Sequence, residues 1–239
     1  MPISSVPDHV AAAVPSIDAA ARRWRDELGG RWVGPRYAVD HAGFATRQLR
    51  FAGGAKLELL EPTTADGFAA RFLERFGARI HHVTLKVPAL LPAIETLRDD
   101  GFDVVDVFAE GDVWHEAFLR PSQVGGLIVQ VAWSDRSDDE WAAMAGIEPE
   151  HPATDGPRLL GPTLAHPDPA TVAGVWRRLG AEVEGDDAGL RVAWPDVPLD
   201  IEVVPGPEAG PVGLRFVGTD PHPGDGRVGP ATVPVARVT

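Results

Sequence analysis

Two histidines head the same phrase in this chain, His9-Val10-x-x-x-Val14-Pro15 and His82-Val83-x-x-x-Val87-Pro88. Each phrase runs into a helix-like segment and then into short strand-like runs, so the echo marks a repeated supersecondary unit. Two such units packed about a pseudo-two-fold axis bring matching positions to one shared place, and a repeat that carries imidazole points toward metal. Strand side chains alternate between faces, which extends the set. His9 lies opposite Val10 and Val14, beside small alanines, while His82, Thr84 and Lys86 share a face opposite His81, Val83, Leu85 and Val87. Glu58 stands opposite Leu57 and Leu59, and Gln130 opposite Leu127, Val129, Val131 and Trp133. With helices over the apolar faces, His9, Glu58, His82 and Gln130 point into one concave sheet. Two imidazoles, one carboxylate and one amide oxygen suit a divalent ion of intermediate softness (Mn, Fe, Co, Ni or Zn), with one or two positions left for water or substrate. A single histidine or glutamate on a half-exposed strand is ordinarily just solvated. Four polar residues at matched positions of a repeat carry the reading.

The elements that must position these residues follow one order, strand, helix, then three strands. In the first unit the pattern predicts a strand over 6–14 and a helix over 16–28 that Gly29-Gly30 ends, then strands over 32–39, 44–51 and 56–61. A helical connector with Phe68, Phe72 and Phe76 leads to the second unit, with a strand over 80–87, a helix over 90–100 closed by Gly101, and strands over 102–108, 113–119 and 127–133. A polar joint over 134–156 precedes a third, stripped copy. There His166-Pro167 stands where Val14-Pro15 stood, and Trp176-Arg-Arg-Leu179-Gly180 echoes Trp24-Arg-Asp-Glu-Leu28-Gly29. The place of His9 falls on Gly161, which has no side chain to ligate with. After Val217 the chain is rich in Pro and Gly and is expected to be irregular. The expected organisation is a metal-binding domain over 1–134 with modules at about 6–62 and 80–133, a linker over 135–157, and a degenerate module with its tail over 158–239.

Composition narrows the function classes. With 239 residues, 44% of them apolar, the chain can bury a full core. No apolar run approaches the roughly 18 residues that span a bilayer, and the N-terminus lacks a basic segment followed by an apolar stretch, so a cytoplasmic protein without a membrane partner is expected. The absence of cysteine excludes disulfides, thiolate ligands and a cysteine nucleophile. A net charge of −13 without basic clusters argues against nucleic-acid binding.

His9-Val10…Val14-Pro15, Lys56-Leu-Glu58-Leu-Leu-Glu-Pro62, His81-His82-Val83…Val87 and Gly125-Gly126-Leu-Ile-Val-Gln130 together resemble the vicinal oxygen chelate superfamily (glyoxalase, bleomycin resistance, dioxygenase), in particular its methylmalonyl-CoA epimerase-like branch. The resemblance spans about residues 6–133. It implies an α+β fold of paired βαβββ modules forming a curved mixed sheet cup, with the third module degenerate, and it carries the metal-ligand role onto His9, Glu58, His82 and Gln130. It also implies an edge partner for the sheet, within the chain or in a homodimer.

One departure bears on chemistry. In the epimerase and glyoxalase I branches the last ligand is normally a glutamate that doubles as a base, and here Gln130 occupies it. An amide oxygen binds metal but takes no proton. The second position, a glutamine in the epimerase pattern, is here Glu58. Carboxylate and amide have exchanged modules, which points to a substrate lying in the opposite sense with Glu58 as ligand and base. For a second proton-handling group, the epimerase-like glutamate would fall near Asp40-His41, where no glutamate stands and His41 could serve. In the second unit Trp114-His115-Glu116 offers His115 or Glu116, and alternation lets only one of them face inward. The implied chemistry is proton transfer next to a metal-chelated carbonyl, of epimerase, isomerase or lyase type, on a small-molecule carbonyl or acid substrate. No basic cluster for a nucleotide is evident, which disfavours an acyl-CoA. Two other classes compete. His9, His82 and Glu58 hold the elements of an Fe(II) dioxygenase triad, and the acidic cup with seven tryptophans could serve a non-catalytic drug-binding resistance protein.

Overall fold

The computed structural model describes residues 1–218 and 235–237. The chain is a mixed α and β structure with two sheets and few helices.

The first repeat opens with β1 (Val6–Ala13). Ser16 then caps α1 (Ile17–Ala21), its hydroxyl accepting the Ala19 N–H at 3.3 Å. The helix widens through Arg22–Glu27 into a π-type turn in which Leu28 N–H reaches back to the Arg23 carbonyl. The expected single strand over 32–39 is two short ones, β2 (Arg31–Trp32) and β3 (Tyr37–Val39), because Gly34-Pro35 stands between them and proline cannot donate to a ladder. β4 (Phe44–Arg50), β5 (Lys56–Pro62) and the connecting helix α2 (Phe68–Phe76) complete the repeat.

The second repeat runs β6 (Arg79–Lys86), α3 (Leu90–Asp99), β7 (Val104–Phe108), β8 (Trp114–Leu119) and β9 (Ile128–Ser134). α3 buries Leu90, Ala93, Ile94 and Leu97, the spacing of one helical face, and Gly101 with φ +86 turns the chain out of it. The polar joint contains a helix the sequence pattern did not foretell, α4 (Asp138–Met144), begun by a capping box between Ser137 and Glu140. Asp138 in its first turn pairs with Arg50 and Lys56, each at 2.7 Å, which ties α4 to β4 and β5.

The third copy comprises β10 (Arg158–His166), α5 (Ala173–Arg178), β11 (Glu182–Asp186), β12 (Gly189–Ala193) and β13 (Ile201–Pro205). β14 (Gly210–Val217) and β15 (Val235–Arg237) follow. The rest of the stretch expected to be irregular lies outside the described residues.

One sheet has nine strands in the order β2-β4-β5-β1-β6-β9-β8-β7, with β3 also paired to β4; the other has six, in the order β11-β12-β13-β10-β14-β15. The same pairing recurs. β1 runs parallel to β5 as β6 does to β9 and β10 to β13, and an antiparallel partner flanks the last strand each time. A Gly-Gly turn with positive φ precedes both β5 (Gly53, Gly54) and β9 (Gly125, Gly126), so Glu58 and Gln130 stand at the same offset from their turns.

Contacts gather the chain into two compact units. One comprises Met1–His9, His82–Asp135 and Gly161–Val212. Within it Ile3 N–H bonds the Arg178 carbonyl at 3.0 Å and the Ser5 hydroxyl bonds that of Leu179, while Trp176 is fully buried. The other comprises Val10–His81, Arg136–Leu160 and Gly213–Thr239. Its core sets the Phe216 ring 6.3 Å from Trp24 and 5.0 Å from Phe51. Among the described residues no helix is long and apolar enough to cross a membrane.

Candidate metal centre

His9 stands on β1, only 2% exposed, with Ala11 and Ala13 following on the same face. Its Nδ1 lies 2.7 Å from the Asp8 carboxylate, which Lys86 in turn holds at 3.4 Å. An ionised carboxylate only accepts, so Nδ1 carries the hydrogen, which leaves Nε2 as the ring nitrogen that can bind an ion once it is unprotonated. That nitrogen is 2.9 Å from the Thr84 hydroxyl.

His82, on β6, is buried as well, and the two imidazole rings meet edge-on at 5.9 Å. Phe118 closes on His82 from β8 with ring centroids 6.3 Å apart. Glu58 on β5 pairs in register with Ala11 of β1 and with Gln48 of β4, whose amide donates to its carboxylate at 3.4 Å. One ligand atom from each of His9, Glu58 and His82 lies within 4.8 Å of the others. Two imidazole nitrogens and a carboxylate oxygen converging in this way form a donor set suited to a divalent transition ion, the chemistry expected from the sequence.

Gln130 joins this group through Thr84, its cross-strand neighbour on β9 and β6. Thr84 donates to Gln130 Oε1 at 2.5 Å, and Gln130 Nε2 donates to Glu116 Oε2 at 2.7 Å. Trp114 Nε1 donates to the same carboxylate oxygen, also at 2.7 Å. A continuous polar chain therefore runs Asp8, His9, Thr84, Gln130, Glu116, Trp114, and Lys86 lies 5.9 Å from the Trp114 ring.

Register decides between the two candidates on β8. Phe118 pairs with Gln130 and Glu116 with Ala132, so Glu116 shares the face of Gln130. His115 points to the other face, where its ring lies 4.7 Å from Trp133 and its Nε2 is 2.8 Å from the Gly111 carbonyl. His41 sits in the exposed turn Asp40–Ala42 between β3 and β4, and no described hydrogen bond ties it to the group. His81 occupies the face of β6 opposite His82, between the rings of Phe68 and Phe72. Burial pushes its imidazole down to about 4, against the opposing pull of Glu58. The structure adds Asp8, Thr84 and Trp114 to the residues expected from the sequence. The signal for Thr84 was available, since alternation already placed it on the face of His82.

Comparison with known proteins fits this geometry. Residues 8–118 match the model of the glyoxalase/bleomycin resistance protein/dioxygenase superfamily. The chain is 32% identical over 130 residues to the ethylmalonyl-CoA/methylmalonyl-CoA epimerase of Cereibacter sphaeroides, covering 52% of this chain and 94% of that one. It is 30% identical over 129 residues to the mitochondrial methylmalonyl-CoA epimerase of mouse, covering 52% and 70%. Among solved structures, the methylmalonyl-CoA epimerase of Mycobacterium tuberculosis superimposes with a TM-score of 0.50 at 24% identity, over 57% of this chain and 91% of that one. A hypothetical protein from Staphylococcus aureus shares the fold along most of the length, with a TM-score of 0.63 at 10% identity over 88% of this chain and 90% of that one. The chain belongs to the glyoxalase/bleomycin resistance protein/dioxygenase superfamily, the vicinal oxygen chelate group.

Proposed function

We propose that the protein holds one divalent ion on His9, Glu58 and His82, with the Gln130 amide oxygen as a fourth donor, and moves a proton at carbon next to a chelated carbonyl, as an epimerase, isomerase or lyase does. The convergence of His9, Glu58 and His82 within 4.8 Å carries this reading. Ligands about 2.0–2.2 Å from a common ion stand up to roughly 4.4 Å apart when opposite each other, so small side-chain shifts suffice to close the set.

When bound, the ion would polarise the substrate carbonyl and acidify the neighbouring carbon. The protein's own residues would do the rest. Asp8 holds His9 in the tautomer whose Nε2 is a lone-pair donor. Glu116, its Oε2 fixed by the Trp114 and Gln130 N–H groups, is the group proposed to take the proton. Glu58 would serve as ligand and as the second proton-handling group, returning a proton to the carbon that Glu116 deprotonates, which would exchange the roles of the two modules relative to the epimerase pattern. Although no basic cluster for a nucleotide is evident in the sequence, malonyl-type thioesters are the first substrates to try, because the relatives at about 30% identity carry methylmalonyl-CoA and ethylmalonyl-CoA in their names.

The test is metal analysis of protein purified without a histidine tag, beside Glu58→Ala and His82→Ala, followed by deuterium exchange from solvent into methylmalonyl-CoA. About one ion per folded chain, lost in both variants, together with exchange at the α-carbon is the expected result. Absence of any ion after reconstitution with Mn, Fe, Co, Ni or Zn would sink the proposal. A second reading is favoured by one observation: Thr84 engages Gln130 Oε1, so the cluster itself is two histidines and one carboxylate, the set that Fe(II) oxygenases use. Oxygen uptake by the Fe(II) protein with a catechol-type substrate would select that reading instead.

A further inference from the structure

With His9 Nε2 unprotonated, the form that can bind an ion, Thr84 has one hydroxyl hydrogen and two claimants for it. His9 Nε2 is 2.9 Å away and Gln130 Oε1 is 2.5 Å away. Neither claimant's orientation is adjustable. Asp8 takes the hydrogen on His9 Nδ1, so turning the ring would break that bond. Glu116 accepts from Gln130 Nε2, so flipping the amide would set two acceptors against each other. Thr84 itself is fully buried between Val83 and Leu85, where no bulk water can substitute for it. The two atoms that meet this hydroxyl are the same two lone pairs that the proposed ion would use in this part of the site.

We propose that Thr84 is a placeholder for the ion: its hydroxyl bridges His9 and Gln130 in the metal-free protein, and loading must displace it from His9 and, where Gln130 becomes a fourth ligand, from Gln130 as well. The inference rests on the metal reading above and adds to it a residue that opposes binding. Thr84 thereby holds the two donors in place before the ion arrives and lowers the affinity for it. It also governs the donor count, since an ion that wins Gln130 Oε1 from the hydroxyl has four protein ligands and one that does not has three.

The experiment compares Thr84→Val, which keeps the shape and removes the hydroxyl, with Thr84→Ser, which keeps the hydroxyl. Dissociation constants for Co²⁺ and Mn²⁺ come from chelator competition on the full chain, and the visible spectrum of the Co²⁺ form reports coordination number. The expected result is affinity about fivefold tighter in Thr84→Val, the worth of one ordinary hydrogen bond no longer displaced, with Thr84→Ser at the wild-type value. The Co²⁺ spectrum of Thr84→Val should move toward higher coordination. Thr84→Ala repeats the measurement should the valine variant fold poorly. If the wild-type protein binds the ions and removal of the hydroxyl leaves affinity unchanged or weakens it, Thr84 is a support and the inference is overturned while the metal reading stands. If neither wild type nor any Thr84 variant binds an ion, both fall together.

Discussion

The two sheets repeat one plan and differ in what they place at one register. In the nine-stranded sheet Glu58 of β5 stands beside Ala11 of β1, and His9 lies two residues earlier on the same face. In the six-stranded sheet Glu202 of β13 stands beside Thr163 of β10, and Gly161 lies two residues earlier. The carboxylate is thus kept in both while the imidazole is not. In the first sheet it meets an imidazole cluster; in the second the Thr163 hydroxyl takes it at 3.0 Å. Gly161 adopts φ +134, and a Cβ there would stand 1.9 Å from the Asp200 carbonyl, so β10 has closed onto the backbone of its neighbour where β1 leaves room for a ring. The helix tryptophans, Trp24 and Trp176, are buried alike in the two copies. Packing conserves the module, and chemistry requires a histidine on its first strand with space for it.

The largest expected effects belong to the ligands. Glu58→Ala and His82→Ala should lose all stoichiometric metal by mass spectrometry while Glu202→Ala loses none; metal lost from Glu202→Ala would relocate the site. Gly161→Ala should destabilise the protein by about 2–3 kcal/mol in urea unfolding, through strain at positive φ and the clash with Asp200, so a ligand cannot simply be restored there. Asp8→Asn should weaken metal binding about 10- to 100-fold in chelator competition, because the carboxylate that sets the His9 tautomer is replaced by an amide.

Acid should act on the nine-stranded sheet through His81. Its unfolded value is near 6.5 and burial holds the folded value at about 4. Between these the unfolded chain binds a proton that the folded chain does not, so stability present above about pH 6.5 is lost as the pH falls toward 4. In chelator-treated protein, the stability lost between pH 7 and pH 5 should be smaller in His81→Phe than in the wild type by about 1–2 kcal/mol. An unchanged pH profile would assign the acid sensitivity elsewhere. The smallest effect belongs to Thr163→Val, which removes one hydrogen bond to Glu202 and should cost under about 1 kcal/mol with no change in metal content.

Much of the candidate site can be read from alternation and repetition, which are local properties of the chain. The His-Val phrases place His9 and His82 on matching strands, and the Gly-Gly turns set Glu58 and Gln130 at one offset. The slip to Gly161 in the third copy is visible in the same way. One local signal and one distant pairing lie outside that pattern. The strand expected over 32–39 is broken at Gly34-Pro35, a signal present in the sequence. α4 is held by Asp138 to Arg50 and Lys56, residues 88 and 82 positions away, and no periodicity encodes such a pairing.

Which strand faces are polar follows from residue order, because side-chain direction along a strand depends only on position. Tertiary structure alone decided that Glu116 and not His115 joins Gln130, since that choice depends on the pairing of β8 with β9. It also alone joined Thr84 to His9 and Gln130, 75 and 46 positions distant. A hydrogen bond is set by distances of a few tenths of an ångström between strands, and only the packed sheets supply those.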